Sequence, residues 1–438
     1  MKNKKEIFGW AMFDFANSAY TTNIVTVIFC NYFVFAVAKG VSPTVFGHQL
    51  GGEFLWGMGI TLSNLLIILT APILGAVADY SAHRKKFLVI TCLLCVAGTA
   101  GLFFATPGAV VLAIALFVIS NYFFQISESL CGSFLPDLAE PDEIGKISAI
   151  GWSLGYVGGL VGLLLCFPLI GGGKGFGIEN EWNIRISCLI TAGLFLVAAI
   201  PTFIFLKEHA TGRQLAKGET YLLVGFRRVR NTLTHLKVLK DLSLFLGSFL
   251  LMAVGLTTVI AFSTIYALQE MKLGEDKLVI LFIVVQVSAA LGAYSFGMIQ
   301  DRIGLKFSVQ LMLAFWVAVL TGVFFTYTIW IFWILVLLLG AGLGGVQSAA
   351  RAMVGLFAPP SKSAEIFGFW SLTYKLGGLV GPVSYGAIAH FSHRWAMLFI
   401  AVFFGLSFLV LLLVDQKRGQ AAGAAFEDLL ADKSEPRV

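Results

Sequence analysis

The sequence predicts an all-α membrane protein in which two similar bundles of six transmembrane helices are joined by a charged linker. The 438 residues are 58% hydrophobic and 12% charged, with a mean hydropathy of +0.88, whereas about a quarter of the residues in soluble domains are charged. Twelve apolar runs reach the ~20 residues that a spanning helix needs. Two motifs occur once in each half of the chain, which indicates an internal repeat.

The apolar runs are too long to be strands of a membrane barrel, which are shorter and alternate in polarity. Their approximate bounds are 8–38, 54–78, 87–106, 109–132, 147–170, 184–206, 244–268, 278–300, 307–327, 330–350, 365–389 and 395–414.

The runs divide the chain into an N-terminal bundle (1–206), a linker (207–243), a C-terminal bundle (244–414) and a tail (415–438). We expect helical structure in the linker around 221–240. The tail is polar and rich in alanine, so we expect it to be solvated and without fixed structure.

Lysine and arginine are concentrated in alternate connections between the runs. They cluster before the first run, after the second, throughout 207–241 and after the eighth, and twelve spans place all four positions on one side of the membrane. The positive-inside rule puts this side, with both termini, in the cytoplasm. Because the loops are compact, we expect a bacterial inner membrane. The topology signal already explains the basic residues of 207–241, so we predict no binding to nucleic acid.

Neither the cysteines nor the glycine-rich loop indicates a metal or cofactor site. The six cysteines lie within or beside apolar runs, without the spacing of metal ligands or of a disulfide framework. The segment 171–175 lacks the strand–helix context and the Lys-Ser/Thr ending of a phosphate-binding loop, so we interpret it as a flexible turn. The sequence therefore predicts no cofactor.

The first repeated motif is a glycine-rich stretch that begins with two aromatic residues. Trp152-Ser-Leu-Gly-Tyr156 in the first half recurs as Trp370-Ser-Leu-Thr-Tyr374 in the second, and glycines follow both. Small residues allow close contact between helices, so the glycines predict packing faces. The four aromatic residues either line a cavity between the halves or take part in ordinary aromatic packing.

The second repeated motif is a glycine followed four residues later by an aspartate and then by basic residues. Its copies comprise Gly75, Asp79 and Arg84 after the second run, and Gly297, Asp301, Arg302, Gly304 and Lys306 after the eighth. Each aspartate can meet basic loop residues or the positive N-terminal end of a neighbouring helix. Such a contact can hold one conformation and release it in another. The alternative is an interfacial turn with no gating role.

This turn resembles the signature loop of the major facilitator superfamily, which follows the second and eighth helices. The resemblance covers all twelve runs and implies the major facilitator fold, with the two turns as gating loops. The first copy departs from the pattern, since Tyr80 stands where a basic residue is expected and Ala82 where a glycine is expected.

A narrower resemblance is to the autophagy-related vacuolar effluxer family and its bacterial relatives. The similar segments are GWAMFDFANSAY at 9–20, FLPD at 134–137, GWSLGY at 151–156, QSAAR at 347–351, PP at 359–360 and EIFG at 365–368. The resemblance implies a permease. Fungal members of the family are associated with amino-acid export from the vacuole.

Polar residues inside the apolar runs are candidates for substrate binding or ion coupling. A charged residue in a span costs ~2.5–3.5 kcal/mol on insertion scales, so it persists mainly when it is paired or faces a wet cavity. The candidates are Asp14, Asn17 and Tyr20 in the first run; Asn121, Gln125 and Glu128 in the fourth; and Gln286, Gln347 and Lys375 in the eighth, tenth and eleventh. We expect Arg351, one turn beyond Gln347, to contact headgroups at the membrane interface.

These candidates allow more than one role. Lys375 either binds the carboxylate of a zwitterion or permanently neutralises Asp14 or Glu128. Asp14 is either a fixed ion-pair partner or a site for an ammonium group or a proton. Glu128 could equally anchor a gate or loop, and the glutamines could form hydrogen bonds between helices.

The sequence favours a secondary transporter that moves a small polar metabolite by alternating access. Amino acids are the favoured substrates, and transport is either coupled to protons or occurs by uniport. The sequence contains no ATP-binding motif and no His-Glu-x-x-His, so neither a primary pump nor an enzyme is expected. The alternative is a transporter-like receptor or scaffold without transport. We expect a monomer in the lipid bilayer with a small-molecule substrate.

Overall fold

The computed structural model describes residues 4–40, 44–45, 48–49, 51–170, 181–209, 219–234, 237–274 and 276–432. The glycine-rich turn at 171–175 lies outside these ranges.

The N-terminal half begins with one long helical segment that is interrupted by two π-helical stretches. Its helices and its short hairpin are α1 (Lys4–Tyr20), the π-helices Thr21–Val27 and Phe33–Val37 on either side of α2 (Phe29–Tyr32), β1 (Thr44–Val45), β2 (His48–Gln49), α3 (Gly52–Ser81), α4 (Arg84–Gly101), α5 (Val110–Gly132), α6 (Leu135–Leu138), α7 (Ile144–Cys166) and α8 (Glu181–Phe205).

Among the described residues, the linker contains one helix, and the C-terminal half contains six long helices and a terminal one. These are α9 (Tyr221–Thr234), α10 (Lys240–Gln269), α11 (Asp276–Ile303), α12 (Leu305–Phe325), α13 (Ile329–Phe357), α14 (Ser363–Ala389), α15 (His393–Leu412) and α16 (Gln416–Asp432). The position of α9 agrees with the helix expected around 221–240.

Eleven of the described segments are long and apolar enough to cross a membrane. The helix at the remaining predicted span, α14, has 27 residues but is less apolar because glycine, serine, tyrosine and lysine interrupt its hydrophobic sequence. It packs against α3, α10 and α15 inside the bundle. Neighbouring helices therefore cover much of α14, and it needs less apolar surface than a helix that faces lipid.

The repeated glycines bring equivalent helices together in each half. A methyl group at Gly158 of α7 would run into the backbone of Phe15 in α1, and one at Gly377 of α14 would lie 2.7 Å from Ala253 Cβ in α10. The packing role that the sequence gives to these glycines is confirmed. Between the halves, α7 packs on α11 and α14 packs on α3.

One end of the bundle carries the basic connections, and we call it the basic face. It comprises the start of α1, the α3–α4 and α11–α12 turns, α9 and α16. Contacts between the connections hold this face together: the Nε2 atom of His209 lies 2.7 Å from Glu6 Oε1, and the backbone N–H of Lys306 donates to Gln416.

The expectation of a tail without fixed structure is wrong for its first part. Residues 416–432 form α16, whose Arg418 Nε lies 2.6 Å from Asp241 Oδ2 at the start of α10. Gly419 packs against the Phe357 ring. The small residues that suggested a solvated tail instead let the helix lie close to the bundle.

Candidate functional site

A buried ion pair joins the two halves. Asp14 lies on α1 of the N-terminal half and Arg351 lies on α13 of the C-terminal half, and Asp14 Oδ2 is 2.8 Å from Arg351 Nη1. Arg351 is 4% exposed, so the expectation that it contacts headgroups is wrong. A guanidinium this far from water is stabilised by a carboxylate and further acceptors.

The surroundings of Arg351 supply those acceptors. Its Nε donates to Ser148 Oγ and its Nη2 donates to the Ser148 carbonyl, at 3.1 and 2.8 Å. The rings of Trp10 and Trp152 lie 4.7 and 5.3 Å from the guanidinium carbon, which is cation–π distance. A side chain at Gly151 would collide with both members of the ion pair, so glycine is needed there to make room for it.

Glu128 and Lys375 form a second pair of opposite charges across the interface. Glu128 lies near the end of α5, and Lys375 lies about halfway along α14. Both are half-buried and attract each other electrostatically. Glu128 also interacts electrostatically with Asp14 and Arg351. The Lys375 ammonium lies 5.0 Å from the centre of the Tyr374 ring. Two acidic and two basic groups therefore share one region between the halves.

Several buried polar atoms of the candidate residues have no hydrogen-bond partner within the described ranges. They are Asn17 Oδ1, Gln125 Oε1, Trp152 Nε1 and Trp370 Nε1. Buried polar groups are nearly always satisfied in proteins. These atoms, two from helix α1 or α5 and two from the repeated Trp positions, therefore suit a polar ligand or ordered water.

Two of the predicted glutamines lie where the halves meet. The Tyr156 hydroxyl on α7 donates to Gln347 Oε1 on α13 at 2.8 Å. The Gln286 amide on α11 lies next to Gly159 on α7. Both contacts join opposite halves, so they change whenever the halves move relative to each other.

The structure does not bring every candidate to this interface. Tyr20 is fully buried and its hydroxyl pairs with Ser120 Oγ at 2.9 Å, while its ring stacks on Phe124. Asn121 donates to Ser63 Oγ at 2.7 Å. Both contacts lie within the N-terminal half. Tyr20 and Asn121 therefore join helices of one bundle and do not reach the opposite half.

Asp79, the aspartate of the first repeated turn, caps a helix of the opposite half. Its carboxylate accepts hydrogen bonds from the backbone N–H groups of Ala364 and Glu365, at 3.1 and 2.9 Å, at the start of α14. A carboxylate there satisfies free N–H groups and meets the positive end of the helix dipole. Gly75, one turn earlier, faces the Ala364 carbonyl so closely that a side chain would collide with it.

Asp301, the aspartate of the second turn, makes the equivalent contact in the reverse direction. It accepts a hydrogen bond from the Lys146 N–H at 2.9 Å, at the start of α7 in the N-terminal half. Gly297 packs against Ala149 of the same helix. The two aspartates therefore join the halves at the basic face, one from each half. This helix-end contact is one of the two partners that the sequence allows for them.

The basic residues of the two turns differ in their surroundings. Arg84 is 1% exposed and lies 2.5 Å from Asp137, 3.2 Å from Glu208 and 4.0 Å from Asp79. Lys306 donates to the Leu412 carbonyl at 3.2 Å from a more exposed position. Arg302 is exposed, and Gly304 turns the chain with a φ of 91°.

Trp10 and Ser148 were not among the predicted site residues, and Arg351 was predicted at the membrane interface instead of at this site. Trp10 is fully buried and donates from its indole nitrogen to the Cys131 carbonyl at 2.7 Å. One signal was available: Trp10 precedes Asp14 by four residues on α1, so the two share a helical face. The pairing of Asp14 with Arg351 leaves no local trace, because the partners are far apart in sequence.

Solved structures with the same architecture include transporters of the major facilitator superfamily. The chain superposes on the proton:xylose symporter XylE with a TM-score of 0.72 at 13% identity, covering 97% of both chains. It superposes on the human organic anion transporter MFSD10 with the same TM-score and identity, covering 94% of this chain and all of the other. The predicted fold, two six-helix bundles of the major facilitator type, is confirmed.

Sequence comparison identifies the family within this class. The model of the family described as "Vacuole effluxer Atg22 like" matches residues 58–424, and the chain belongs to this family. It is 26% identical to the uncharacterised MFS-type transporter YxiO of Bacillus subtilis over 97% of this chain and 98% of the relative. It is 23% identical to autophagy-related protein 22 of Coccidioides immitis over 84% and 72%. The protein is thus a multi-pass membrane transporter and not an enzyme.

Proposed function

We propose that this transporter moves zwitterionic metabolites, amino acids first, by alternating access between two states of its halves. The observation that carries the proposal is the set of opposite charges shared by the halves, Asp14 with Arg351 and Glu128 with Lys375. In transporters built from repeats, the substrate binds between the repeats near the middle of the bilayer.

The second charge pair suits a zwitterion better than it suits a sugar. Lys375 is available for a substrate carboxylate, and Glu128 for its ammonium group, because no ion pair within 4.0 Å engages either of them in the described chain. Asp14 is already bound to Arg351, so we assign it to positioning and to proton coupling. A proton on Asp14 would weaken its attraction to Arg351 and loosen the contact between the halves.

The state described here has its basic face closed. The Asp79 and Asp301 caps hold α3 to α14 and α11 to α7 at that end, and the Arg84 network lies beside Asp79 within the N-terminal half. Opening this face has to break both caps, and this is the gating role that we propose for the two turns. We further propose that the protein works as a monomer in a bacterial inner membrane, with the basic face in the cytoplasm.

A thermal-shift screen of the purified protein tests the substrate class. A ligand that binds the folded form alone raises its apparent stability, by ~2.7 kcal/mol at a hundred times its Kd. Amino acids are expected to stabilise the wild type, whereas sugars and simple carboxylates are not. Stabilisation by sugars alone would contradict the proposal.

Charge-removing variants locate the site. Lys375→Ala is expected to abolish stabilisation by amino acids, while the matched variant Lys277→Ala, on an exposed lysine at the start of α11, should respond like the wild type. Asp14→Asn should retain part of the binding and lose uptake driven by a pH gradient in liposomes. Full binding and wild-type uptake in both Lys375→Ala and Asp14→Asn would remove these residues from the mechanism.

A further inference from the structure

The linker helix α9 presents three different faces. The first is buried and contains Val224, Gly225, Arg228 and Thr232. The second is an exposed apolar stripe of Leu222, Phe226 and Leu233, which are 60%, 59% and 49% exposed. The third contains the exposed arginines Arg227 and Arg230. On a helical projection the apolar stripe lies between the buried face and the arginines.

The buried face of α9 connects the two halves. Gly225 packs against Ile73 and Val77 of α3 in the N-terminal half. Arg228 donates to the Ser361 carbonyl at 2.7 Å and lies 3.6 Å from Glu365 in the C-terminal half. The Thr232 hydroxyl donates to the same Glu365 carboxylate. The helix therefore lies across the α3–α14 contact at the basic face.

Glu365 lies where Asp79 of α3 caps the start of α14, the contact that we call the gate. Its side chain is fully buried, and its third partner is Lys362, whose Nζ lies 3.1 Å from Glu365 Oε2. Burial holds the pKa of Lys362 below its usual range, although the neighbouring Glu365 opposes this shift. The backbone N–H of Glu365 is one of the two that Asp79 caps. Whatever holds α9 in place therefore supports the closed gate.

From the position of α9 along α3, we expect its outer faces to lie at the membrane surface. Ile73 lies eight residues before the end of α3 at Ser81, which is ~12 Å along the helix axis. Because Ile73 and Val77, which Gly225 contacts, lie in the last turns of the apolar run 54–78, we expect the apolar stripe of α9 to lie level with the boundary between acyl chains and headgroups. Arg227 keeps most of its surface exposed although it pairs with Glu219 at 2.5 Å, and Arg230 is exposed as well.

We propose that α9 is a binding site for anionic phospholipids, and that this binding stabilises the closed basic face. The apolar stripe inserts into the leaflet and the two arginines contact the lipid phosphates. Attraction to an anionic membrane surface is worth about fivefold in affinity per basic residue. The consequence for transport rests on the proposed alternating access, whereas the lipid site does not.

Hydrogen exchange of the gate amides in proteoliposomes tests the effect on closure. Exchange of the peptide covering 363–367 is expected to slow severalfold when phosphatidylglycerol replaces about a third of the phosphatidylcholine, because opening of the gate becomes rarer. The double variant Arg227→Gln/Arg230→Gln should lose this response and Lys277→Gln should keep it. Exchange that ignores phosphatidylglycerol in the wild type, or a double variant that responds like the wild type, would overturn the proposal.

Two further measurements separate lipid from other occupants. Inorganic phosphate added to phosphatidylcholine vesicles should leave the exchange unchanged; an equal slowing would assign the site to a free anion. A fluorophore on Leu222→Cys should be quenched by lipids brominated near the headgroup. Absence of quenching together with crosslinking between Leu222→Cys copies would assign the apolar stripe to a second copy of the chain. Neither measurement depends on transport, so the proposed function can fail separately.

Discussion

Asp79 and Asp301 occupy the same position in the two halves and each caps a helix of the other half, yet the basic residue five positions later has different surroundings in each. Arg84 lies buried among Asp79, Asp137 and Glu208. Lys306 reaches a single backbone carbonyl at the end of α15. The first copy, which departs further from the superfamily's signature loop, is therefore the one whose basic residue has more polar partners.

This difference shows that similarity to a sequence motif does not by itself determine how strongly the residues of the motif stabilise the structure. The second copy keeps the glycine and the basic residues of the pattern. However, Lys306 remains partly exposed to water, where charged contacts contribute little to stability. In the first copy Arg84 is desolvated, and its three acidic neighbours compensate for the loss of water. We expect the closed basic face to depend more on the first turn than on the second.

The largest expected effect comes from removing the two cations. Arg84→Ala leaves the carboxylates of Asp137 and Glu208 without their cation and should lower the free energy of unfolding by ~3 kcal/mol, the lower end for a broken buried ion pair. Lys306→Ala, the matched variant, should change it by no more than ~1 kcal/mol, since a single hydrogen bond is lost. Denaturant unfolding in detergent measures both, and equal losses would contradict the comparison.

The two motif glycines should differ in whether their substitution can be rescued. Gly75→Ala places a methyl against the backbone carbonyl of Ala364, whereas Gly297→Ala places it against the Ala149 side chain. Both should disfavour closure by ~2 kcal/mol, within the range for overpacking. Ala149→Gly should restore closure in Gly297→Ala, and no side-chain change at Ala364 can restore it in Gly75→Ala. Hydrogen exchange at 363–367 and 144–148 reports closure; failure of the rescue would contradict this packing.

The caps themselves give the next effect. Asp79→Asn keeps the shape of the side chain but loses the charge that favours the α14 N-terminus, a change of ~1 kcal/mol. The Glu365 amide should then exchange about fivefold faster. Asp301→Asn should speed exchange at Lys146 by a smaller factor, because Asp301 is more exposed than Asp79. A larger effect at Lys146 than at Glu365 would reverse the proposed order.

The smallest effect concerns the third residue after each aspartate. Ala82 has the left-handed helical conformation, with φ 50° and ψ 43°, which costs an alanine ~1–2 kcal/mol. Gly304 has φ 91° and ψ 140°, a conformation that strains residues other than glycine by ~1–3 kcal/mol. Ala82→Gly should therefore stabilise the protein by ~0.5 kcal/mol after the entropy cost of glycine, and Gly304→Ala should destabilise it by ~1 kcal/mol. Thermal unfolding of the pair checks the sign, and a destabilised Ala82→Gly would contradict the strain argument.

Hydropathy and the repeats were enough to predict the fold, because membrane spans and close-packing glycines are local patterns. The helix-end contact of Asp79 and Asp301 was one of the two partners predicted for them, but the helix that each one caps lies in the other half and could not be identified from the sequence. The role of Arg351 could not be predicted from the sequence. A lone arginine near a helix end is typical of the membrane interface, and only the packing of α1 beside it shows that Asp14 is its partner. The α16 helix was missed because a small-residue composition is equally typical of solvated and closely packed segments.

The central claim is that opposite charges shared by the two halves bind a zwitterion and carry it across the membrane. The most direct test is counterflow of a radiolabelled amino acid, chosen from the stabilising ligands, in liposomes that contain the wild type or Lys375→Ala. We predict accumulation with the wild type and with Lys277→Ala, and no accumulation above empty liposomes with Lys375→Ala. Counterflow of the same size in Lys375→Ala and the wild type would contradict it.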